Sequence, residues 1–394
     1  MDKTLDKTSC ESAKSNGSEP EIRIFLCSDI VPDGSVGGGE LVLHRHLEEF
    51  DNFKFCVGGQ LGEQWFDKFR FWKRLKQSRF RKYCVGIEAF MLQQTPDDKT
   101  VDQALAFDPA VVMTVAHGRR FLQASRLATA INRPLVTIFH DWWPDIVTQG
   151  KFGRRKYESH FRRIFESSDL NLTVCDGMQR HLGRHSNTKT IPPIPGSMSN
   201  LSSLEFSHTG NLFEVCYSGN LFQYGPMMGD LLLAIRGSNC CNLVVRGAKP
   251  NWPESLKKEM ASTGSYLPPA PRNEFSNWQG MFDAHLCVMQ FETNARRRME
   301  TSFPSKMVDS FRHGKPVIVW GPEYCSAIEW AKGKDAVFAI TDEEPAVAAK
   351  KIEQLAQDKA LQKHLCKQAK EIANNEFSQA TIQNEFVSAI QSVI

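Results

Sequence analysis

A chain of 394 residues is too long for one hydrophobic core and predicts two domains. Its 41% hydrophobic and 24% charged residues describe an ordinary globular protein, and no apolar run approaches the roughly 18 residues a membrane span needs. The net charge of +3 argues neither for nor against nucleic acid and requires any basic surface to be local.

Residues 1–20 are polar, lack the apolar stretch of a signal peptide, and read as a disordered tail. From Glu21 onward short apolar runs alternate with helical patterns. Strands are predicted at 22–27, 53–58, 111–115, 134–140 and 170–175, with amphipathic helices at 39–50, 119–131 and 155–167 between them. The segment 188–211, rich in Pro, Gly, Ser and Asn, reads as a linker. Strands resume at 212–218, 242–247, 285–291, 316–321 and 336–340. Helices are predicted at 226–236, 253–261, 304–313, 323–332 and 344–356, and the last forty residues read as helical. Strand–helix alternation implies βαβ units and parallel sheets. The expected division is a tail at 1–20, a first domain at 21–204, a second at 205–376, and a terminal helix at 377–394.

Eleven cysteines are scattered singly apart from Cys240–Cys241. Without a CxxC or an even framework they predict neither disulfides nor zinc, but small buried hydrophobes in a reducing compartment.

In such folds ligands bind beyond the carboxyl ends of the strands. Strand 22–27 leads into Gly37-Gly38-Gly39-Glu40 at a helix start, where backbone can approach a negatively charged ligand. His117 follows strand 111–115, and His140-Asp141 follows strand 134–140, both addressed to a cleft. In the second half, Ser302 is a plausible helix N-cap and Pro304 a first helical residue. Lys306 lies one turn in and Asp309 further along, suiting a diphosphate and two ribose hydroxyls respectively.

With these residues on the page, the chain from Glu21 to its end resembles the retaining GT-B glycosyltransferases of family 4, also called group 1. The most specific segment is FPSKMVDSFRHGKPVIVWG (303–321), supported by the GGGE loop, VTIFHDWW, SSDLNLTVCDGM (167–178) and FEVCYSGNLFQYG (213–225). The resemblance implies an α/β GT-B fold, two Rossmann-like domains facing across a cleft, with the C-terminal helix returning to the N-terminal domain. It implies transfer of a sugar from a nucleoside-diphosphate sugar, UDP- or GDP-linked, to a glycan, lipid-linked or small-molecule acceptor, with retention and without a metal. His140 would stand beside the reacting sugar, Gly38 and Gly39 near the donor phosphates, and Glu40, His117 and Asp141 on the acceptor side. Ser302, Phe303, Pro304, Ser305 and Lys306 would form the diphosphate turn, and Asp309 would bind the ribose.

Two departures stand out. Glu292 and Glu300 spell a literal E-x7-E, yet counting back from Gly314 puts the family's second acid at Asp309 and its first at Thr301. Glu300, one residue away, is assigned the first-acid role. Asn220 replaces the family's usual arginine after the first donor-domain strand, leaving Arg246 or Arg296–Arg298 to supply positive charge. The competing readings are a nucleotide- or sugar-binding GT-B protein without catalysis and, less well matched, a UDP-sugar epimerase; nucleic-acid binding is not expected. Finally, residues 65–83 mix aromatic and basic side chains. On a helix Trp65, Phe69, Trp72 and Leu75 share one face, fitting either a core helix with solvated charges or peripheral contact with the inner, cytoplasmic face of a membrane.

Overall fold

In the computed structural model the described residues are 21–35, 37–58, 70–88, 90, 95–147, 150–197, 212–270 and 272–394. The tail at 1–20, residues 65–69 of the aromatic–basic segment and the linker stretch 198–211 lie outside them.

The first sheet comprises β1 (Ile22–Leu26), β2 (Phe53–Val57), β3 (Val111–Val115), β4 (Leu135–Phe139), β5 (Leu170–Thr173) and β6 (Thr188–Thr190), in the order β2-β1-β3-β4-β5-β6. The second comprises β7 (Phe213–Asn220), β8 (Cys241–Ala248), β9 (Tyr266–Leu267), β10 (Ala284–Val288), β11 (Val317–Trp320) and β12 (Phe338–Ile340), in the order β12-β11-β10-β7-β8-β9. Every pairing is parallel. Every residue of β3, β4, β5, β10 and β11 is buried, as helices on both faces of a parallel sheet require.

Every strand expected from the sequence is present. The additions, β6 and β9, are edge strands of three and two residues, too short to leave a period; β6 falls inside the segment read as linker. The helix expected at 226–236 begins earlier, as Leu221–Ile235, because Asn220 caps it by accepting from the Phe222 amide at 2.9 Å; Pro226 lies inside it, one hydrogen bond the poorer. The expected cap at Ser302 is also displaced. Ser302 closes the helix Arg296–Thr301, and Pro304, extended at φ −74° and ψ 106°, caps Ser305–Phe311. A residue preceding proline is pushed out of helical backbone, which puts the break at Phe303.

The C-terminal helices, Lys359–Asn374 and Gln379–Gln391, are parted at Asn375–Ser378. The second returns to the first domain. Gln383 donates to the His46 carbonyl at 3.1 Å and to Asn52 at 3.0 Å, and Phe386 stacks on the His46 ring at 4.1 Å. One hydrophobic core runs from the first sheet through Met299, Phe303, Met307 and Phe311 to Phe377 and Phe386, so the domains share apolar packing beside their cleft.

Burial lowers the pKa of His46, His117 and His285 to about 4 and that of His313 to about 2. These imidazoles are neutral in the fold and take up protons on unfolding below about pH 6.5. The unfolded state therefore binds more protons, and stability, full above pH 6.5, is lost as pH falls toward 4. Each histidine adds to that loss in the same direction. Chemical denaturation at pH 7.5 and 5.0 is expected to show a large drop in the unfolding free energy; equal values would refute the buried neutral histidines.

Candidate active site

Three segments of the first domain converge at the carboxyl ends of its strands. His140 follows β4, and its ring backs onto Gly39: a Cβ there would lie 3.1 Å from Nδ1. Gly38 has φ +82°, a backbone open to glycine at little cost, which turns the loop into the helix Gly39–Leu47. Glu40 lies in that helix's first turn. His117, after β3, stacks on Trp143 with centroids 3.4 Å apart. Burial lowers the pKa of His140 while the Asp141 charge opposes it. The structure thus brings His140, His117, Asp141 and the glycine loop together, with both imidazoles neutral near pH 7.

On the second domain, Gly219, φ +150°, is the last but one residue of β7, and an added Cβ there would lie 1.7 Å from the Lys306 ammonium nitrogen. Glycine is needed here so that Lys306 can lie against the loop. The half-buried ammonium sits 5.4 Å from the Tyr217 ring centroid, has no carboxylate within ion-pair distance among the described residues, and has its pKa lowered by burial. Arg298 donates to the Gln290 side-chain oxygen, and its buried Nε has no partner among the described residues. Tyr224 lies in the field of Arg298, and Cys287 in that of Lys306. Arg246, in register with Ser218 of β7, lies 4.5 Å over Trp278. Of the triple arginine, Arg296 pairs with Glu300 at 2.8 Å and Arg297 with Asp145 at 2.5 Å, leaving Arg298 to face Gln290.

Ser302 joins the two halves, its hydroxyl donating to Asp141 at 2.5 Å. Ser305 starts the following helix, while Phe303 is buried against Trp330 and Phe377. The acids assigned from the sequence are engaged elsewhere. Glu300 is held by Arg296 and by His181 at 2.7 Å; burial raises its pKa, but these hydrogen bonds outweigh it and leave the carboxyl below its usual range. Asp309 accepts from both terminal nitrogens of Arg45, at 3.1 and 3.3 Å, and from the Gly196 amide at 3.1 Å. It ties the first domain and the chain leaving it to the helix Ser305–Phe311. Gln290 and Gly219 escaped the sequence reading; a polar residue just beyond β10 and a glycine at the carboxyl end of β7 were the available signals.

No family model and no curated protein sequence matches this chain. Solved structures do match in shape. HepE of Anabaena, in complex with UDP and glucose, aligns at TM-score 0.63 and 17% identity over 94% of this chain and 100% of its own. Sucrose-phosphate synthase of Thermosynechococcus elongatus aligns at 0.64 and 10% identity over 94% and 99%. A glycosyltransferase of Rickettsia africae aligns at 0.62 and 14% identity over 95% and 99%. With two parallel Rossmann-like sheets and a returning C-terminal helix, the chain has the GT-B fold.

Proposed function

We propose that this protein transfers a sugar from a UDP- or GDP-linked donor to a glycan, lipid-linked or small-molecule acceptor, with retention and without a metal ion. The observation that carries this reading is a pair of cations, Lys306 and Arg298, with no carboxylate in ion-pair distance among the described residues, on the domain that Ser302 joins to Asp141 beside His140. A departing nucleoside diphosphate gains negative charge as the glycosidic bond breaks. Fixed cations in a water-poor cleft stabilise that charge without reorganising. They take the place of the arginine that Asn220 replaces. Neutral His140 can hydrogen-bond the sugar without adding a competing charge. The ligands in the HepE structures, UDP and UDP-glucose, support a uridine donor as the first to try.

Asp309 is proposed to receive the ribose hydroxyls, which would share or displace the Arg45 contact. A thermal-shift panel of UDP, GDP, ADP and dTDP, each with its sugar and with chelator present, tests the reading. One nucleotide is expected to stabilise the protein, by about 2.7 kcal/mol at 100 times its dissociation constant. Asp309→Ala is expected to lose that shift and also to unfold more easily without ligand, by about 3 kcal/mol, since Arg45 is left buried without its carboxylate. No shift with any nucleotide would overturn the reading, whereas binding without transfer or hydrolysis would favour a non-catalytic binding protein.

We further propose that the acceptor is met at an anionic membrane surface. The sequence suggested one helix through 65–83; the described part instead forms two, Arg70–Lys76 and Arg81–Glu88. Trp72 turns inward, donating to Glu88 at 2.6 Å, so it belongs to the packing side. Phe71 and Phe152 are 71% and 77% exposed, with Phe80, Tyr83, Ile87 and Phe90 also exposed. Arg74, Arg79, Arg81, Lys151, Arg154 and Arg155 are exposed beside them. Aromatic anchors among basic residues suit an interfacial contact. Sedimentation is expected with vesicles containing phosphatidylserine and not with neutral ones, and Phe71→Ser with Phe152→Ser should reduce it at least tenfold. Equal binding by the double variant would refute this surface.

A further inference from the structure

The vicinal cysteines lie away from the carboxyl ends of the strands, where the cleft residues stand. They sit at the opposite end of β8 from Ala248, where the chain enters the strand. Residues alternate sides along a strand, so two neighbouring thiols ordinarily diverge. Here only Cys241 belongs to β8; Cys240 precedes it in a turn wrapped around Ser238. The Ser238 hydroxyl accepts from the amides of both cysteines at 3.4 Å and lies 3.5 Å from both sulfurs, which turns the thiols to one side. Glu353, from the helix Pro345–Gln357, completes the group. One carboxylate oxygen and the two sulfurs all lie within 4.8 Å of one another. Cys241 is buried, while Cys240 and Glu353 are half-buried and accessible from solvent.

We propose that Cys240, Cys241 and Glu353 form a zinc site that fastens the start of β8 to the helix Pro345–Gln357. Tetrahedral zinc, with bonds of about 2.3 Å to sulfur and 2.0–2.2 Å to oxygen, needs S···S near 3.8 Å and S···O near 3.6 Å. The three atoms are within about 1 Å of that arrangement. Two thiolates and a carboxylate suit borderline-soft zinc over magnesium or calcium, which take oxygen ligands. Water or the Ser238 hydroxyl fills the fourth position. Binding replaces two S–H bonds by two Zn–S bonds and releases two protons to buffer, with no change of oxidation state. A sequence reading that looks for CxxC misses this site, because its third ligand comes from more than a hundred residues away.

The test uses the full chain purified under reducing conditions, incubated with zinc and desalted. One zinc per chain is expected, with about two protons released per ion bound. Cobalt in its place should give a near-ultraviolet thiolate charge-transfer band. Cys240→Ser and Cys241→Ser should each weaken binding at least 100-fold and abolish or shift that band, and Glu353→Gln should weaken it about tenfold. Serine and glutamine are close in shape, and unchanged melting of the metal-free variants separates lost ligation from lost folding. No retained zinc, a band that survives both cysteine substitutions, or a protein two hydrogen masses lighter from a Cys240–Cys241 disulfide would each overturn the proposal. Nucleotide binding by the cleft stands apart from every one of these outcomes.

Discussion

Gly177→Ala is expected to destabilise the protein by about 1–3 kcal/mol, the range for overpacking, and to reduce turnover in any assay that needs the closed cleft. Gly177 lies in the first-domain helix Asp176–Leu182, and a Cβ added there would stand 1.8 Å from the Glu300 carbonyl oxygen of the second domain. The obstacle is main chain, so no rotamer change relieves it. The neighbouring Cys175 thiol donates to the Thr301 carbonyl at 3.4 Å, so the same pair of segments is also joined by a directional contact. A methyl group must therefore part the helices Asp176–Leu182 and Arg296–Thr301. The Glu300–His181 and Ser302–Asp141 contacts would stretch with them. Thermal denaturation together with the radius of gyration in solution checks this. A variant with unchanged melting and unchanged dimensions would show that the two helices do not meet in this way.

Lys306→Ala should have the larger effect on chemistry. If the ammonium faces the leaving diphosphate, its loss should lower kcat by roughly 100- to 1,000-fold, as for removal of one preorganised group that stabilises transition-state charge. The melting temperature should hold or rise, because a half-buried ammonium without a carboxylate partner costs desolvation. Gly219→Ala is the companion experiment, since the new Cβ would push the ammonium off the loop while keeping its charge. The two variants should therefore fail alike in turnover. Full activity in Lys306→Ala would remove this residue from the site, and Arg298 would then be the cation to test.

Much of the architecture was legible because strands covered on both faces are written as unbroken apolar runs: VVMTV and LVTIF are visible without any partner in view. The edge strands β6 and β9 were not, since two or three residues carry no period. His140, His117 and the glycine loop were legible as addresses at strand ends. The directions in which Glu300 and Asp309 point were not, because His181 and Arg45, which hold them, belong to the other domain. Trp72 shows the same limit at short range. Its helical position fitted a membrane-facing stripe, while its indole is spent on Glu88 sixteen residues away.

The returning helix also sets an order of events during synthesis. Its Gln383 hydrogen-bonds to His46, 337 residues earlier in the chain, and Phe386 covers His46 and Phe53. Domains generally fold from the N-terminus as they leave the ribosome. Here the first domain emerges before the second yet keeps an apolar face open until Gln379–Gln391 has been made. Until the helix Gln379–Gln391 is made, the nascent chain carries that uncovered patch, where a chaperone can hold it. Chains interrupted before Gln379 should leave it exposed and be cleared by proteolysis, even though both sheets have been synthesised in full.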